Sequence, residues 1–369
     1  MRGSYNRAVR VPNLQELFAQ KFVALDGSAD PCASSSGSPA VASLATCSRR
    51  PPPVGVNAAQ YGTLGTPGNP AGQYNGQIGG NPQLKPEIAD TYTAGLVITP
   101  SILPTFNMTL DYFDIKIRDV ITSYGANFIV NQCTLSANDS FCNTTQQGQF
   151  VGVHRDDAGS LWFSTNGYVG DPLLNLGFQR TRGMDVNLNY RLEMGGLGHM
   201  DFNLLGTYTF DFITEPYNGS GAYNCAGYYG ATCNSTINPV PKWRHVFTDT
   251  WATPLNGLDF MVRWRHINSM KTDLANPSPL LYNPAAVAAS YFPALETIGS
   301  RDYFDLMLMY RYKGLTTRFG INNVLDKDPP IIAAPLAVAL PAPFFNGNTY
   351  PQVYDTLGRY MYLNITYDF

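Results

Sequence analysis

The sequence predicts an all-β fold, a transmembrane antiparallel up-and-down β-barrel with long outer loops, of which about ten strands of a larger barrel are present. Three observations predict it: stretches with period-two alternation, connections that are alternately short and long, and a composition rich in aromatic residues. With 23 Tyr and 20 Phe against 14% charged residues, and with 34 Gly and 27 Pro, the composition favours many strands joined by turns.

The last stretch of the sequence, 358–369, shows the alternation most clearly. Period two is the repeat of a strand, and about 11 residues suffice to cross a bilayer as a tilted strand. We therefore expect one side of this strand to face lipid and the other to face the lumen. The apolar side holds Met361, Leu363, Ile365, Tyr367 and Phe369.

Nine further strands are predicted ahead of it. Within 106–122 the apolar positions change phase at Phe113, which either a bulge or an exit from the lipid zone would produce. The faces of 243–251 do not follow from its pattern. The predicted ranges are 2–10, 87–99, 106–122, 178–192, 199–212, 243–251, 258–265, 301–312 and 315–323.

The connections between these strands fall into two kinds. Turns of a few residues alternate with segments of roughly 28 to 60 residues, as in outer-membrane barrels, which have short periplasmic turns and longer outside loops. A soluble sandwich has no reason to sort its loops in this way. The segments 22–80 and 123–171 are rich in Gly, Ser, Pro and Asn, so we predict irregular loops there.

The six cysteines fall in three local pairs, each inside a long connection. Local spacing suits disulfides that staple loops in an oxidising compartment, with six free thiols as the alternative. Because no Cys-x-x-Cys occurs and the four histidines are scattered, we predict neither a metal site nor a cofactor. The nearest-neighbour pairs are Cys32 with Cys47, Cys133 with Cys142, and Cys225 with Cys233.

Several functions are disfavoured. A net charge of -3, with no basic run, gives no reason to expect nucleic acid. No apolar run reaches the roughly 18 residues of a membrane-spanning helix. Catalytic motifs such as Gly-x-Ser-x-Gly or His-Glu-x-x-His do not occur. The segment His154-Arg155-Asp156-Asp157 could suggest a metal or acid/base site, but such loop residues are usually solvated, so we do not expect an enzyme.

Four motifs resemble those of TonB-dependent outer-membrane receptors. Segment 7–18, RAVRVPNLQELF, resembles their Arg-Ala-Pro-Asn-Leu…Glu-Leu-Phe segment, with Val11 where the family more often has Ala. Segment 81–87, NPQLKPE, is similar to their Asn-Pro-x-Leu-Lys-Pro-Glu signature. Segment 323–329, NVLDKDP, resembles their penultimate-strand motif, and GR at 358–359 with the terminal Phe369 resembles their closing strand.

The resemblance implies a receptor of the bacterial outer membrane that imports a scarce, bulky solute, such as a siderophore, cobalamin or an oligosaccharide, with energy from TonB. Such receptors are barrels of about 22 strands around an N-terminal plug. Residues 1–369 are then expected to be the C-terminal portion of the barrel, without the plug domain and TonB box. The implied partners are outer-membrane lipid, the small-molecule or oligosaccharide ligand, and TonB through that plug. Alternatives are a barrel for passive diffusion or adhesion, or an outer-membrane hydrolase.

The resemblance also implies ligand capture by outer loops. Aromatic loop residues could stack on the ligand, or could instead pack within the loops or in the aromatic girdle at the membrane interface. By parity, Arg263 and Arg265 face the lumen with Asp259, where the arginines could guide an anionic ligand or pair with plug residues. The aromatic candidates are Trp162, Phe163, Tyr217, Tyr223, Tyr228 and Tyr229.

Overall fold

A computed structural model describes residues 1–28, 30–34, 40–62, 73–230, 232–233, 239–281, 297–332 and 349–368. Ten antiparallel strands form one sheet in which each strand pairs with its neighbours in sequence, so all ten predicted strands are confirmed. The strands are β1 Arg2–Arg10, β2 Glu87–Ile98, β3 Asn107–Thr122, β4 Leu174–Glu193, β5 His199–Glu215, β6 Trp243–Ala252, β7 Leu258–Ile267, β8 Arg301–Tyr312, β9 Leu315–Asn322 and β10 Tyr360–Tyr367.

These ten strands, which we call the wall, place most of their apolar side chains on one face. Leu204 of β5 lies opposite Leu188 of β4 and Phe247 of β6, and side chains alternate between the two faces along each strand. The same registers put Trp243 and Trp251 on this apolar face, which assigns the faces of β6. Aligned on it are Tyr92, Leu110, Val186, Phe202, Leu204, Tyr208, Phe260, Leu308, Phe319, Leu363 and Ile365.

The opposite, polar face of the wall is cross-linked by hydrogen bonds and ion pairs. Asn203 Nδ2 donates to Asn189 Oδ1 at 2.6 Å, and Arg191 Nε lies 2.7 Å from Asp201 Oδ1. Each pair joins β4 to β5. The wall therefore has the two chemically different surfaces that a strand between lipid and an aqueous lumen needs.

Apart from Asp249, which lies between Phe202 and Val262 toward the short turns, charged residues enter the apolar face near the long-loop end of the wall. Arg7 Nε lies 2.7 Å from Asp90 Oδ1, and Arg180 Nε donates to Asp114 Oδ1 at 2.8 Å. An arginine facing lipid costs roughly 2–4 kcal/mol at the midplane and roughly 0–1 kcal/mol near the interface. This charged belt therefore fits a boundary of the lipid zone. Its members are Arg7, Asp90, Asp114, Lys116, Arg118, Arg180, Arg182 and Asp211.

The charged belt helps to choose between the two explanations for the change of apolar phase at Phe113, a bulge or an exit from the lipid zone. The pairing of β3 with β4 keeps one register from Asn107 to Thr122, so the interpretation of a bulge there is wrong. The exit from the lipid zone is the interpretation that agrees with the belt. A register shift does occur in β5, between Thr209 and Asp211, where the sequence pattern gave no warning of it.

The sheet is open within the part of the chain that the structure describes. There, β1 pairs with β2 alone and β10 pairs with β9 alone. Unpaired strand edges cannot lie in hydrocarbon, because each unsatisfied backbone group costs several kcal/mol. The open sheet therefore agrees with the prediction of part of a larger barrel. No helix of the described residues is long and apolar enough to span a membrane.

The connections between wall strands alternate as predicted. Turns lie at 99–106, 194–198, 253–257 and 313–314, and the long loops are 11–86, 123–173, 216–242, 268–300 and 323–359. The tightest turn has positive φ at both residues, +45° at Lys313 and +79° at Gly314. That backbone matches the twist of a two-residue hairpin. Phe369, which closes the predicted last strand, lies outside the described residues.

The prediction of irregular chain in 22–80 and 123–171 is wrong in part. Five short strands from these two loops form a second sheet, the loop sheet, and a helix packs against it. Most of these strands are too short to show a period in the sequence. Two of the pairings, of Phe22–Gly27 with Tyr74–Ile78 and of Tyr74–Ile78 with Tyr168–Gly170, join segments far apart in the chain. In sheet order the strands are Phe22–Gly27, Tyr74–Ile78, Tyr168–Gly170, Gln149–His154 and Asn143–Gln146, and the helix is Ala126–Thr134.

The loop sheet has a hydrophobic core of its own. Ile129 and Val130 of the helix are fully buried, together with Val151 and Val169 of the sheet and Leu174 at the start of β4. The wall thus supports a packed layer of loops rather than free loops. The remaining short elements are helices Leu14–Phe18 and Leu44–Cys47, 3-10 turns Asp139–Phe141, Gly195–Leu197 and Asp273–Ala275, and strands Tyr223–Asn224, Tyr228–Tyr229, Met270–Thr272 and Thr297–Ile298.

The helix Leu14–Phe18 lies within the segment 7–18, and its first turn explains part of that motif. Asn13 accepts a hydrogen bond from Glu16 N at 2.9 Å, and Glu16 Oε2 accepts one from Asn13 N at 2.7 Å. This reciprocal capping box satisfies two donors that would otherwise be unpaired at the start of the helix. Glu16 also binds Arg10 at the end of β1, so the motif fixes how the chain leaves the wall.

Candidate functional site

A cavity of about 820 Å³ lies between the first two long loops. We call it the loop cavity. The first loop contributes Pro53 and Gln60 to its wall, and the second contributes the segment 154–158 with Asn166 and Tyr168. Small-molecule sites typically measure about 300–1,000 Å³. The cavity is therefore large enough to hold a compact ligand between the two loops.

A buried ion pair joins the two loops beside the loop cavity. Arg155 of the second loop binds Asp30 of the first through two nitrogens, at 2.6 and 2.9 Å. The Arg155 side chain is 1% exposed and also donates to the carbonyl oxygens of Val54 and Gly159. A bidentate pair in a buried setting is costly to break. Arg155 therefore holds the two walls of the cavity together.

His154 and Tyr168 form an aromatic pair on the cavity wall. Their strands pair antiparallel, and the rings stack with centroids 5.1 Å apart and planes 14° apart. His154 Nδ1 lies 2.8 Å from the carbonyl oxygen of Asn166. Because a carbonyl oxygen only accepts, Nδ1 must carry the proton. In the neutral ring, Nε2 is then left as a hydrogen-bond acceptor.

The two aspartates after Arg155 have different roles. Asp156 shapes the loop, since its carboxylate accepts hydrogen bonds from Ala158 N at 3.1 Å, Ser160 N at 2.9 Å and Ser164 Oγ at 3.0 Å. Asp157 is exposed at the cavity. The segment is thus partly structural and partly open to solvent. Among the described residues, no group of three or more His, Cys, Asp or Glu side chains could hold a metal ion.

A pair of acids lies within the loop sheet. Asp171 accepts hydrogen bonds from Ser123 Oγ at 2.9 Å and from Gly125 N at 3.1 Å. Burial, and then the nearby charge of Asp26, raises the pKa of Asp171 to about 7. Burial also raises the pKa of Asp26. The two carboxyl groups therefore favour a state in which at least one of them is protonated.

The predicted aromatic ligand residues lie in different surroundings. Phe163 is 72% exposed, while its neighbour Trp162 packs against the core of the loop sheet. Tyr223 and Tyr229 are buried in two separate loop cores, and Tyr228 packs against the core that contains Tyr223. Their roles in ligand binding stay predictions. The burial favours packing for Tyr223 and Tyr229 and leaves Phe163 as the most accessible ring.

Tyr217 belongs to an aromatic cluster that joins the second and third long loops. Its ring lies 4.9 Å from Phe128 and 5.4 Å from Tyr124, and Phe141 completes the cluster. Burial raises the pKa of the Tyr217 hydroxyl. This residue therefore contributes to packing between loops in the structure.

Arg263 and Arg265 lie on the polar face of the wall, as parity predicted. Asp305, which is 1% exposed, accepts hydrogen bonds from Arg263 Nε at 2.8 Å and from Arg265 Nε at 2.9 Å. Arg265 also binds Asp355 at 2.8 Å. Within this chain the two arginines share Asp305, and their expected pairing with plug residues stays a prediction. Ligand contact by the two arginines remains a prediction.

All three predicted disulfides are present in the structure. The Cα atoms are 5.7 Å apart in Cys32–Cys47, 4.8 Å apart in Cys133–Cys142 and 5.3 Å apart in Cys225–Cys233. Each bond closes a loop within one long connection, and all six sulfurs are buried. The disulfides therefore staple the loop layer and do not join strands of the wall.

Sequence reasoning missed the loop cavity, although one signal was present. Segment 149–154, QFVGVH, alternates between residues that enter the core of the loop sheet, such as Val151 and Val153, and residues on the other side, such as His154. That period predicts a strand. The partner strand with Tyr168 comes from beyond a turn of irregular sequence, so the pair of rings could not be found without the structure.

Comparison with known proteins identifies the architecture. The family model described as TonB dependent receptor-like, beta-barrel matches residues 1–324. Among curated proteins there is no match. The siderophore receptor PirA from Acinetobacter baumannii aligns with 100% of the chain at 14% identity and a TM-score of 0.54. A mutant of the ferric enterobactin receptor PfeA from Pseudomonas aeruginosa aligns with 100% at 13% identity and a TM-score of 0.55.

The two structural neighbours are much longer than this chain, which covers 38% of each. At 13–14% identity their likeness shows the fold alone. The family match extends over the wall from β1 to β9, which is most of the sequence. The chain belongs to the TonB-dependent receptor-like β-barrel family.

Proposed function

We propose that this chain is the C-terminal barrel portion of an outer-membrane receptor that imports a scarce, bulky solute with energy from TonB. The candidate solutes are a siderophore, cobalamin or an oligosaccharide. The observation that carries the proposal is the combination of a two-faced wall with a packed layer of loops at one end, in a chain of this family. TonB would act through a plug domain that lies outside these residues.

The parts of the structure have distinct roles in this proposal. The apolar face contacts outer-membrane lipid, and the polar face lines the path of the solute. Its side chains are already bonded to one another, as in Arg311 Nη2 to Asp259 Oδ2 at 2.6 Å. A wall of this kind keeps its shape when a plug moves beside it. The loop layer offers the solute its first contact, with Phe163 and the loop cavity as accessible surfaces.

A transport assay with the full-length receptor tests the proposal. The gene is expressed in an outer-membrane host without competing receptors, and uptake of labelled siderophores, cobalamin and oligosaccharides is measured with TonB present or deleted. We expect uptake of at least one solute that is lost when TonB is deleted. Equal uptake in both hosts would instead identify a pore for passive diffusion. Surface attachment without any uptake would identify an adhesin.

A further inference from the structure

We propose that the loop cavity is a binding site for an uncharged saccharide. The inference rests on the proposed import function and names the class of solute that the outer loops receive. It depends on three properties of the cavity, which are its aromatic wall, its exposed hydrogen-bonding groups and its balance of charge.

The aromatic wall is suited to the C–H face of a sugar ring. His154 and Tyr168 line the cavity as a stacked pair, and Phe150 meets the Tyr168 ring edge-on at 6.1 Å, which fixes the ring in place. Amphipathic rings of this kind offer an apolar body and a polar tip to a ligand. Within the described part of the chain, no residue hydrogen-bonds to the Tyr168 hydroxyl. That hydroxyl can therefore both donate to and accept from a sugar hydroxyl.

The polar groups around these rings match a ligand that has many hydroxyls. Asp157 and Asn166 are exposed at the cavity. A carboxylate accepts two or more hydrogen bonds, an amide both donates and accepts, and His154 Nε2 accepts in the neutral ring. A saccharide hydroxyl can serve as donor or acceptor toward each of them. The set is thus able to bind several hydroxyls of one sugar ring.

The balance of charge argues against an anionic ligand. Among the described residues of the cavity wall, Arg155 is the one cation, and its guanidinium is buried in the pair with Asp30. Asp156 and Asp157 add negative charge to the same wall. An anionic chelate or a phosphate would meet carboxylates without an available counter-charge, which costs affinity. An uncharged polyhydroxylated ligand does not incur this cost.

The walls of the cavity are held in place before any ligand binds. Arg155 connects the two loops through Asp30, and Gln60 Nε2 of the first loop donates to the carbonyl oxygen of Asp157 in the second at 3.0 Å. Binding to a preorganised site loses less conformational entropy than binding to free loops. The contact from Gln60 positions the backbone of Asp157 in the cavity wall.

The test measures direct binding to the purified full-length receptor by calorimetry. The probes are maltotriose, xylotriose and chitotriose as uncharged saccharides, and ferric 2,3-dihydroxybenzoylserine as an anionic chelate. We expect at least one saccharide to bind. We expect its affinity to fall about tenfold in Asp157→Ala and by a similar factor in Tyr168→Phe, since a lost hydrogen bond in a site of this kind is worth about 1–1.5 kcal/mol. Tyr168→Phe keeps the stacked ring and so tests the hydroxyl without disturbing the loop sheet.

Asp328→Ala is the matched control, because Asp328 is another exposed loop carboxylate but does not line the loop cavity. Its affinity for the saccharide should equal that of the unmodified receptor. The inference is overturned if no saccharide in the panel binds, or if binding is the same in both cavity variants. TonB-dependent uptake of the chelate with no effect of either variant would leave the import function standing and remove this inference alone.

Discussion

The wall and the loop layer differ in what covers their apolar side chains. In the wall, each strand pairs with the next strand of the sequence, and side chains such as Leu204 remain on a face that the described chain does not cover. In the loop layer, strands from two separate loops pair with each other and bury Ile129, Val151 and Val169 within a core of their own. In the proposed function lipid covers this face of the wall, whereas the loop layer depends on internal packing and disulfides.

This difference between the wall and the loop layer leads to four predictions. The largest effect is expected in the wall, at a charge that the polar face encloses. Asp305→Ala removes the acceptor shared by Arg263, Arg265 and the backbone N–H of Asn323. Arg265 keeps Asp355 and Arg263 keeps Asn322, but three donors lose a hydrogen bond to a carboxylate that is 1% exposed. Since each hydrogen bond to a charged group is worth about 1.5–3 kcal/mol, we expect a loss of about 3–5 kcal/mol in the free energy of unfolding. Urea titration of the full-length receptor in detergent measures it.

The matched control for Asp305 is Asp201, which pairs with Arg191 on the same polar face but has a side chain that is 39% exposed. Exposed pairs contribute roughly 0–1 kcal/mol, so Asp201→Ala should have little effect. Equal, small losses in the two variants would show that the polar face is not an interlocked network, and the contrast with the loop layer would weaken.

The second prediction tests the two faces of the wall at adjacent residues. Leu204 lies on the apolar face and Leu205 on the polar face of β5. Leu204→Arg places a charge toward lipid and should cost roughly 2–4 kcal/mol of folding free energy in a bilayer, while Leu205→Arg should cost roughly 0–1 kcal/mol. The yield of refolding into lipid vesicles, measured at increasing urea concentration, gives the folding free energy of both variants. A larger loss for Leu205→Arg would reverse our assignment of the faces.

The third prediction concerns the disulfides of the loop layer. Replacing Cys133 and Cys142 together by serine should destabilise the second long loop by about 2–3 kcal/mol, because the bond closes a short loop. Limited proteolysis should then cut within 123–173 several times faster. The temperature at which the wall unfolds, detected by the change in electrophoretic mobility, should stay the same. A parallel loss in the wall would mean that the two regions unfold as one unit.

The fourth and smallest effect is a pH dependence of the loop layer. The pKa of Asp171 is raised from an ordinary 3.8 to about 7, so the folded loop layer binds a proton that the unfolded chain has released. Its stability should therefore fall as the pH rises from about 4 through about 7, and level off above that. Proteolysis of 123–173 at pH 5 and pH 8 measures the change.

Asp171→Asn is the control for the pH dependence, since an amide keeps the size and cannot titrate. It should make the rates of proteolysis at the two pH values nearly equal. A dependence of the same size in this variant would assign the effect to Asp26 or to another group. The result would then change which acid is responsible without altering the packing of the loop layer.

The same difference explains how much the sequence could predict. Period two in 199–212 has one interpretation because a long strand repeats its pattern several times, and β5 was located from it to within a few residues. The strands Tyr168–Gly170 and Asn143–Gln146 are only a few residues long, so no period is visible in them. The spacing of the cysteines predicted the three disulfides. The pairing of His154 with Tyr168, in contrast, depends on how two separate segments meet in the fold.

The most direct test of the two-faced wall uses spin labels along β5. Because none of the described cysteines is free, a single cysteine introduced at each of positions 200–208 can be labelled in turn. In the full-length receptor in lipid vesicles, even-numbered positions should be accessible to oxygen dissolved in the bilayer, and odd-numbered positions to a water-soluble nickel chelate. Equal accessibility on both sides, or the reverse alternation, would contradict the assignment of lipid and lumen faces on which this account depends.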